Sequence, residues 1–278
     1  MKTLGEVLTL ATGYLRDKGV ERARRSAEDL LAHHLQLKRL DLYMKFDQPM
    51  QEQELDQFRA SIARRGKGEP VEYVLQEIEF FGCSLEITSD VLIPRPETEL
   101  LLERICKAVT VEKIAWDLCT GSGCLGIGLK KKCPQLAVTL SDLSPQALSL
   151  AKKNACRNQV EVECLEGDLL APFVGRKADL VIVNPPYITQ EEYDSLSQEV
   201  KQFEPKMALL AGPTGLEFYA RLAEELPNYL TPRARVFFEI GAGQGASVEK
   251  LFSANHWRIK SLDKDYSGHD RFFFLEFE

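Results

Sequence analysis

Asn184-Pro185-Pro186-Tyr187 sets a carboxamide, two prolines and a phenol directly after the apolar run 178–183. That run, Ala-Asp-Leu-Val-Ile-Val, is rich in β-branched residues and reads as a buried strand. The prolines stop it and stiffen the turn, because each ring fixes φ and supplies no N–H donor. An amide side chain, free backbone carbonyls and an aromatic face are thereby held at a strand's carboxyl end, the edge where open α/β sheets bind ligands. An acceptor-rich turn with an aromatic lid suits a planar –NH₂ group. The competing reading is an ordinary strand-ending turn, since prolines commonly punctuate loops.

Three more strand ends carry ligand-type residues. The first is Asp117-Leu118-Cys119-Thr120-Gly121-Ser122-Gly123, followed by a helix. Glycine permits positive φ and close approach of a ligand, and the helix start offers unpaired N–H groups. Gly121, Gly123 and Gly126 fit the G-x-G-x-x-G pattern of dinucleotide sites, a weak signal alone. Asp117 favours another cofactor, because an acid before the loop repels a pyrophosphate and suits an amino-acid ammonium. S-adenosylmethionine carries such an ammonium and no phosphate. The second is Asp142, which follows Gly123 by 19 residues, near the roughly 20 expected of an acid that binds ribose hydroxyls. Ser144 before Pro145 is the better helix cap, which leaves Asp142 free. The third is Gly167-Asp168-Leu169, where Asp168 can accept from an adenine amino group and Leu169 can pack on the ring. A surface-turn acid competes with that reading of Asp168.

Alternating strands and helices must hold these ends on one edge. Strands are expected over 113–118, 136–141, 160–164, 178–183 and 233–240, and helices over 124–132, 145–156, 215–229 and 245–254. Such alternation implies a mostly parallel sheet covered on both faces. The tail, 257–262 and 271–277, has no helix between its two runs and should pair antiparallel. Ahead of this α/β part, residues 1–70 read as a small helical bundle. Thr3 and Glu6 have capping-box spacing, and Leu4, Val7, Leu8, Ala11 and Leu15 share one face. Residues 71–96 read as a β-hairpin linker, strand-like from Tyr73 to Ile93, and 97–278 as the cofactor-binding domain.

The chain has 278 residues, 44% hydrophobic and 28% charged, with a net charge of −7. That balance argues against bulk duplex nucleic acid as the main partner, which calls for a basic footprint. Seven cysteines with no C-x-x-C pair, and four scattered histidines, suggest neither a disulfide frame nor a metal site. No run approaches the roughly 20 apolar residues that span a bilayer, and the N-terminus lacks a secretory signal's apolar block. A cytoplasmic location with reduced thiols is expected.

Asp117-x-x-Thr120-Gly121-Ser122-Gly123, Asp142, Gly167-Asp168 and Asn184-Pro185-Pro186-Tyr187, in this order, resemble the class I S-adenosylmethionine-dependent methyltransferases. Ile93-Pro94-Arg95-Pro96-Glu97-Thr98-Glu99, the helical N-terminal part and the hairpin narrow the resemblance to the release factor N5-glutamine methyltransferases (the HemK/PrmC family). The resemblance covers essentially the whole chain. It implies a Rossmann-like α/β sheet, mostly parallel with an antiparallel C-terminal strand, beside a helical bundle that docks a protein substrate. It implies S-adenosylmethionine as cofactor, S-adenosylhomocysteine as product, and peptide chain release factors as partners, with no membrane and no stable nucleic-acid binding. The reaction implied is methylation of the glutamine amide in a Gly-Gly-Gln motif. The Asn184 oxygen and the Pro185 carbonyl each accept one amide N–H, and Tyr187 covers the glutamine. Arg95, Glu97 and Thr98 shape the substrate mouth, a hinge role being equally open. Cys119 stands where this loop often has glycine, and is expected to keep an ordinary backbone conformation. Leu169 replaces an aromatic residue of some relatives, so adenine stacking should be weaker. No base is named for the amide proton. The rival enzyme is an adenine N6-methyltransferase. A NAD-dependent oxidoreductase leaves Asp117 and the Asn-Pro-Pro-Tyr turn unexplained, and a non-catalytic scaffold leaves the cofactor acids unexplained.

Overall fold

Thr3 and Glu6 form the capping box their spacing predicts: the Glu6 N–H donates to the Thr3 hydroxyl at 3.3 Å and the Thr3 N–H to the Glu6 carboxylate at 2.9 Å. A cap of this kind contributes about 1 kcal/mol. It opens α1 (Leu4–Asp17), followed by α2 (Ala23–His34), α3 (Arg39–Met44), α4 (Glu52–Arg65) and α5 (Val71–Leu75). The stripe Leu4, Val7, Leu8, Ala11 and Leu15 is buried against Leu30, Leu31, Phe58 and Ile62, giving this helical part its own core. The structure, a computed structural model, describes residues 1–278 apart from the side chains of 259 and 260. It divides into a helical unit, Met1–Glu77 with Ser197–Phe203, and an α/β unit, Ile78–Leu196 with Glu204–Glu278.

The strand expected to begin at Tyr73 is a correction. Residues 71–75 are helical, because Val71, Val74 and Leu75 fall at helical spacing on the helical core, and Gln76 ends the turn at φ 60°. Only β1 (Glu77–Phe80) and β2 (Cys83–Glu86) form the hairpin, around Phe81-Gly82. The chain then runs irregularly to Arg95, since Pro94 and Pro96 donate nothing to a ladder.

The α/β unit continues with α6 (Pro96–Ala108), β3 (Ile114–Leu118), α7 (Cys124–Lys132), β4 (Ala137–Asp142), α8 (Pro145–Arg157), β5 (Glu163–Glu166) and β6 (Ala178–Val183). After β6 come α9 (Gln190–Ser195) and α10 (Gln198–Phe203), short helices that the sequence reading missed, and then α11 (Glu217–Glu225), β7 (Leu230–Glu239), α12 (Gly245–Leu251), β8 (Trp257–Lys264) and β9 (Asp270–Phe277). The helix expected over 215–229 stops early because Pro227 cannot continue it. The seven-stranded sheet has the order β5-β4-β3-β6-β7-β9-β8. Strands β3 to β7 are parallel and β9 is antiparallel to both β7 and β8, as expected. The order reverses between β3 and β6, which makes their carboxyl ends the switch point where such sheets bind ligands.

Candidate active site

Beyond β3 the chain must turn sharply, and two acids hold the turn. Asp117 is 1% exposed; its Oδ2 accepts from the Thr120 hydroxyl at 2.6 Å and the Gly126 N–H at 2.9 Å. Its Oδ1 is buried without a partner. Burial pushes this carboxyl up to about 7 against those two hydrogen bonds. Asp142 accepts from the Gly121 N–H at 2.8 Å through Oδ2 and from the Ser144 N–H at 2.9 Å through Oδ1, so it ties two strand-end loops together. Burial raises its pKa and the backbone donors lower it, with a net rise. Ser144 caps α8 through the Ala147 N–H, as the sequence suggests.

The third glycine serves packing. A Cβ on Gly126 would lie 2.1 Å from Leu140 and 3.0 Å from Asp117 Oδ2, so α7 could not close on β3 and β4. Asn154, fully buried on α8, donates to the Ser122 carbonyl at 2.9 Å and exchanges hydrogen bonds with Glu86 of β2. Cys119 departs from expectation: its φ is +57°, and Leu169 across the edge has φ +48°. Left-handed backbone at such residues costs about 1–2 kcal/mol each, and strain of this kind gathers at ligand-binding edges.

These loops enclose a cleft of about 1010 Å³, solvent at its mouth included, the upper end of the range for small-molecule sites. It brings together Cys119, Thr120, Gly121, Ser122, Asp142, Asp168, Leu169, Asn184, Pro186 and Thr98 from the sequence assignment. It does not bring in Asp117, Gly123, Pro185, Tyr187, Arg95 or Glu97. Asp117 and Gly123 lie beneath the loop, and a Cβ on Gly123 would meet Ile127 at 2.6 Å. Asp168 is engaged by Arg221, whose two terminal nitrogens donate at 3.1 and 2.9 Å. Val91, Leu92 and Phe218 add an apolar wall that sequence reading missed, since no periodic element carries the first two.

Asn184 lines the cleft, and its side chain makes no hydrogen bond among the described residues. The turn it opens is clamped from outside. Gln244 donates to the Tyr187 carbonyl at 2.9 Å and the Gly215 carbonyl at 3.2 Å, and accepts from the Gly241 N–H at 2.9 Å. Ile188 then exchanges backbone hydrogen bonds with Leu209 and Ala211 at 3.0 Å. The Tyr187 ring packs on the sheet's core instead of covering the cleft, and burial pushes its hydroxyl up to about 12.

The Arg-Pro-Glu-Thr segment is anchored by two buried acids. Arg95 pairs with Glu204 at 2.5 Å, and the Glu204 carboxylate is nearly inaccessible. The Thr98 hydroxyl donates to Glu239 Oε2 at 2.7 Å, both residues being 2% exposed. Burial pushes Glu239 up to about 7. An acid ending the apolar run Val236-Phe237-Phe238 was the available signal for Glu239.

A reversed parallel sheet, a glycine turn strapped by acids and an Asn-Pro-Pro-Tyr turn facing the same cleft define an α/β methyltransferase. Residues 96–203 match the family described as methyltransferase small domain, and residues 6–75 the PrmC N-terminal domain. A crystal structure of a methyltransferase from Pyrococcus furiosus aligns with a TM-score of 0.52 at 17% identity, over 70% of this chain and 89% of that one. The Thermus thermophilus 16S rRNA N2 G1207 methyltransferase, solved with AdoMet and guanosine, aligns at 0.53 and 15% identity, over 73% and 50%. These likenesses show the fold. The release factor glutamine methyltransferase of Geobacter sulfurreducens is 38% identical over 97% of this chain and 95% of its own, and that of Bacillus subtilis 37% identical over 98% and 96%. The chain belongs to the release factor glutamine methyltransferase family.

Proposed function

We propose that this chain methylates the side-chain amide nitrogen (N5) of the glutamine in the Gly-Gly-Gln motif of peptide chain release factors, using S-adenosylmethionine. The observation that carries the reading is the free carboxamide of Asn184 on a cleft that also holds the acid-strapped glycine turn. The residues fit the cofactor. Asp142 is held by backbone N–H donors from Gly121, Ser144 and Leu143 and keeps acceptor capacity for a ribose hydroxyl. Asp117, buried beneath the turn with one oxygen unpartnered, favours a cationic group above the turn through its charge. Asp168 and Leu169 are assigned to the adenine, with Asp168 already oriented by Arg221.

When bound, the cofactor supplies a methyl group on a positively charged sulfur. An amide nitrogen attacks poorly because its lone pair is delocalised, so orientation has to do much of the work. The Asn184 oxygen accepts one N–H of the glutamine and the Pro185 carbonyl the other, which favours the charge that develops on nitrogen. Pro185 is buried, and its carbonyl accepts from no described residue. Tyr187, seated on the core, holds the turn and is not assigned to covering the glutamine. The helical unit is assigned to docking the release factor, supported by the match over residues 6–75 and by the exposed Leu40, Tyr43 and Met44. The cytoplasm is the compartment proposed, on seven free cysteines.

The test is transfer of labelled methyl from the cofactor to a purified release factor, beside a variant with Ala for the motif's glutamine and an unmethylated oligonucleotide. Label on the intact factor alone supports the reading. Label on the oligonucleotide and none on protein would favour the adenine N6-methyltransferase.

A further inference from the structure

We propose that Thr98 and Glu239 form the outlet for the amide proton, the Thr98 hydroxyl meeting it in the cleft and the Glu239 carboxylate receiving it from behind. The proposal rests on the glutamine-methylating reading above and supplies the base that reading lacks.

The sheet register places the acceptor. Val183 pairs with Phe238, so the next residues along the two parallel strands are Asn184 and Glu239. Asn184 lines the cleft, Thr98 lines it too, and Glu239 stands behind Thr98 at 2.7 Å. A hydroxyl can take one proton on its lone pair while releasing another, which a Val or Ala at this position cannot do. Stability alone gives little reason to keep the acid. A buried carboxylate held by one neutral hydroxyl is unfavourable. Among the described residues no cation lies within ion-pair distance of it.

The groups facing Glu239 come from every side. Arg271 on β9 and Arg95 before α6 favour its charge, and Glu97 opposes it. Tyr187 after β6, Tyr219 on α11 and Cys124 at the start of α7 face it as neutral groups. The Tyr219 hydroxyl donates to the Glu239 backbone carbonyl at 2.9 Å and leaves the carboxylate to Thr98. Burial outweighs the two arginines and sets the carboxyl at about 7, the range in which a general base works best at neutral pH.

The step balances. The glutamine nitrogen forms its bond to the methyl carbon as the methyl–sulfur bond breaks, with that electron pair staying on sulfur. The nitrogen becomes cationic and tetrahedral, so its C–N bond rotates freely; the N–H first held by the Pro185 carbonyl turns to Thr98 Oγ and gives up its proton there, while Thr98's own proton passes to Glu239 Oε2. A neutral N-methyl amide and a neutral carboxylic acid result, and the acid returns its proton to water after the product leaves.

The experiment is single-turnover methylation of a release factor between pH 5.5 and 9 by the full chain and its Glu239→Gln, Thr98→Val and Thr98→Ser variants. Affinity for S-adenosylhomocysteine is measured by calorimetry on each. The unsubstituted enzyme should gain rate as pH rises through about 7. Glu239→Gln should lose about 100-fold or more and lose that pH dependence, with cofactor-product affinity unchanged. Thr98→Ser should recover most of what Thr98→Val loses. Glu239→Gln with an unchanged rate and pH profile, or equal rates for Thr98→Val and Thr98→Ser, would overturn the relay. Should Glu239→Gln not fold, the two Thr98 variants decide alone. No methylated glutamine from the unsubstituted enzyme would remove the underlying reading instead, so the two failures are distinct.

Discussion

Asn184 faces the cleft with a carboxamide that no described residue engages, so its removal takes away the acceptor proposed for the substrate and little from the fold. Asn184→Ala should lower the methyl-transfer rate by about 100-fold or more and leave S-adenosylhomocysteine affinity within a factor of two, by calorimetry. Asp142→Ala should do the reverse at the binding step, weakening affinity by about 10–100-fold, since it strips the acceptor proposed for the ribose and frees Gly121 and Ser144. The two buried acids with raised pKa values link stability to pH. Asp117 and Glu239 hold protons up to about 7 when folded, against the ordinary 3.8 and 4.5. Their contribution is therefore full below the ordinary carboxyl range and is lost as pH climbs toward 7. Glu239→Gln, which keeps an acceptor for Thr98, should melt at a higher temperature than the unsubstituted chain at pH 8 and at the same temperature near pH 4, followed by circular dichroism. At this scale Asp117, Asp142, Asp168 and Asn184 were legible because they stand at the ends of strand-like runs, whereas Glu239, which ends Val236-Phe237-Phe238 in the same way, went unread. The left-handed φ of Cys119 and Leu169 was not legible, because nothing in either side chain asks for it. Tyr187 read as a lid because it follows two prolines at a strand's carboxyl end, whereas its ring packs on the core beside Gly241.

The elements fix how far each side chain can stray. Gln244, just before α12, joins the loops after β6 and β7 and the stretch before α11. Gln244→Ala should lower the turnover rate about 10-fold by loosening the Asn-Pro-Pro-Tyr turn, with affinity for cofactor product unchanged. Gln244→Glu should be worse despite equal size, because a carboxylate would face the Tyr187 and Gly215 carbonyls. Gly126→Ala forces α7 off β3 and β4 and should destabilise the chain by about 1–3 kcal/mol, measured by denaturant unfolding. The order and kind of the main strands and helices were legible, because buried parallel strands are continuous apolar runs and the helices between them keep their periodicity. The pieces that were not are short or partly β-branched. Val71–Leu75 became helical through packing of Val71, Val74 and Leu75. The helices Gln190–Ser195 and Gln198–Phe203 bury no residue fully and so leave no stripe to read. Gln244 and Asn154 escaped notice because their partners are backbone groups far along the chain.

At the scale of the whole molecule, the chain has two units with separate cores, the α/β unit carrying the cleft and the helical unit proposed for docking. The net charge of −7 disfavours nonspecific capture by nucleic acid. The return of Ser197–Phe203 to the helical unit could not be read from chain order. Within that stretch, Arg65 of the helical unit pairs with Glu199 at 2.8 Å. S-adenosylhomocysteine at 100 times its dissociation constant should stabilise the chain by about 2.7 kcal/mol, visible as a raised melting temperature, and Asp142→Ala should cut that gain to about 0.4–1.4 kcal/mol at the same concentration. The central claim is that the methyl group lands on a glutamine amide oriented by Asn184. Tandem mass spectrometry of the release factor after one incubation tests it most directly. Fragment ions should place one added methyl on the side-chain nitrogen of the Gly-Gly-Gln glutamine with the unsubstituted enzyme and none with Asn184→Ala. A methyl on any other residue, or an equal yield from Asn184→Ala, would contradict it.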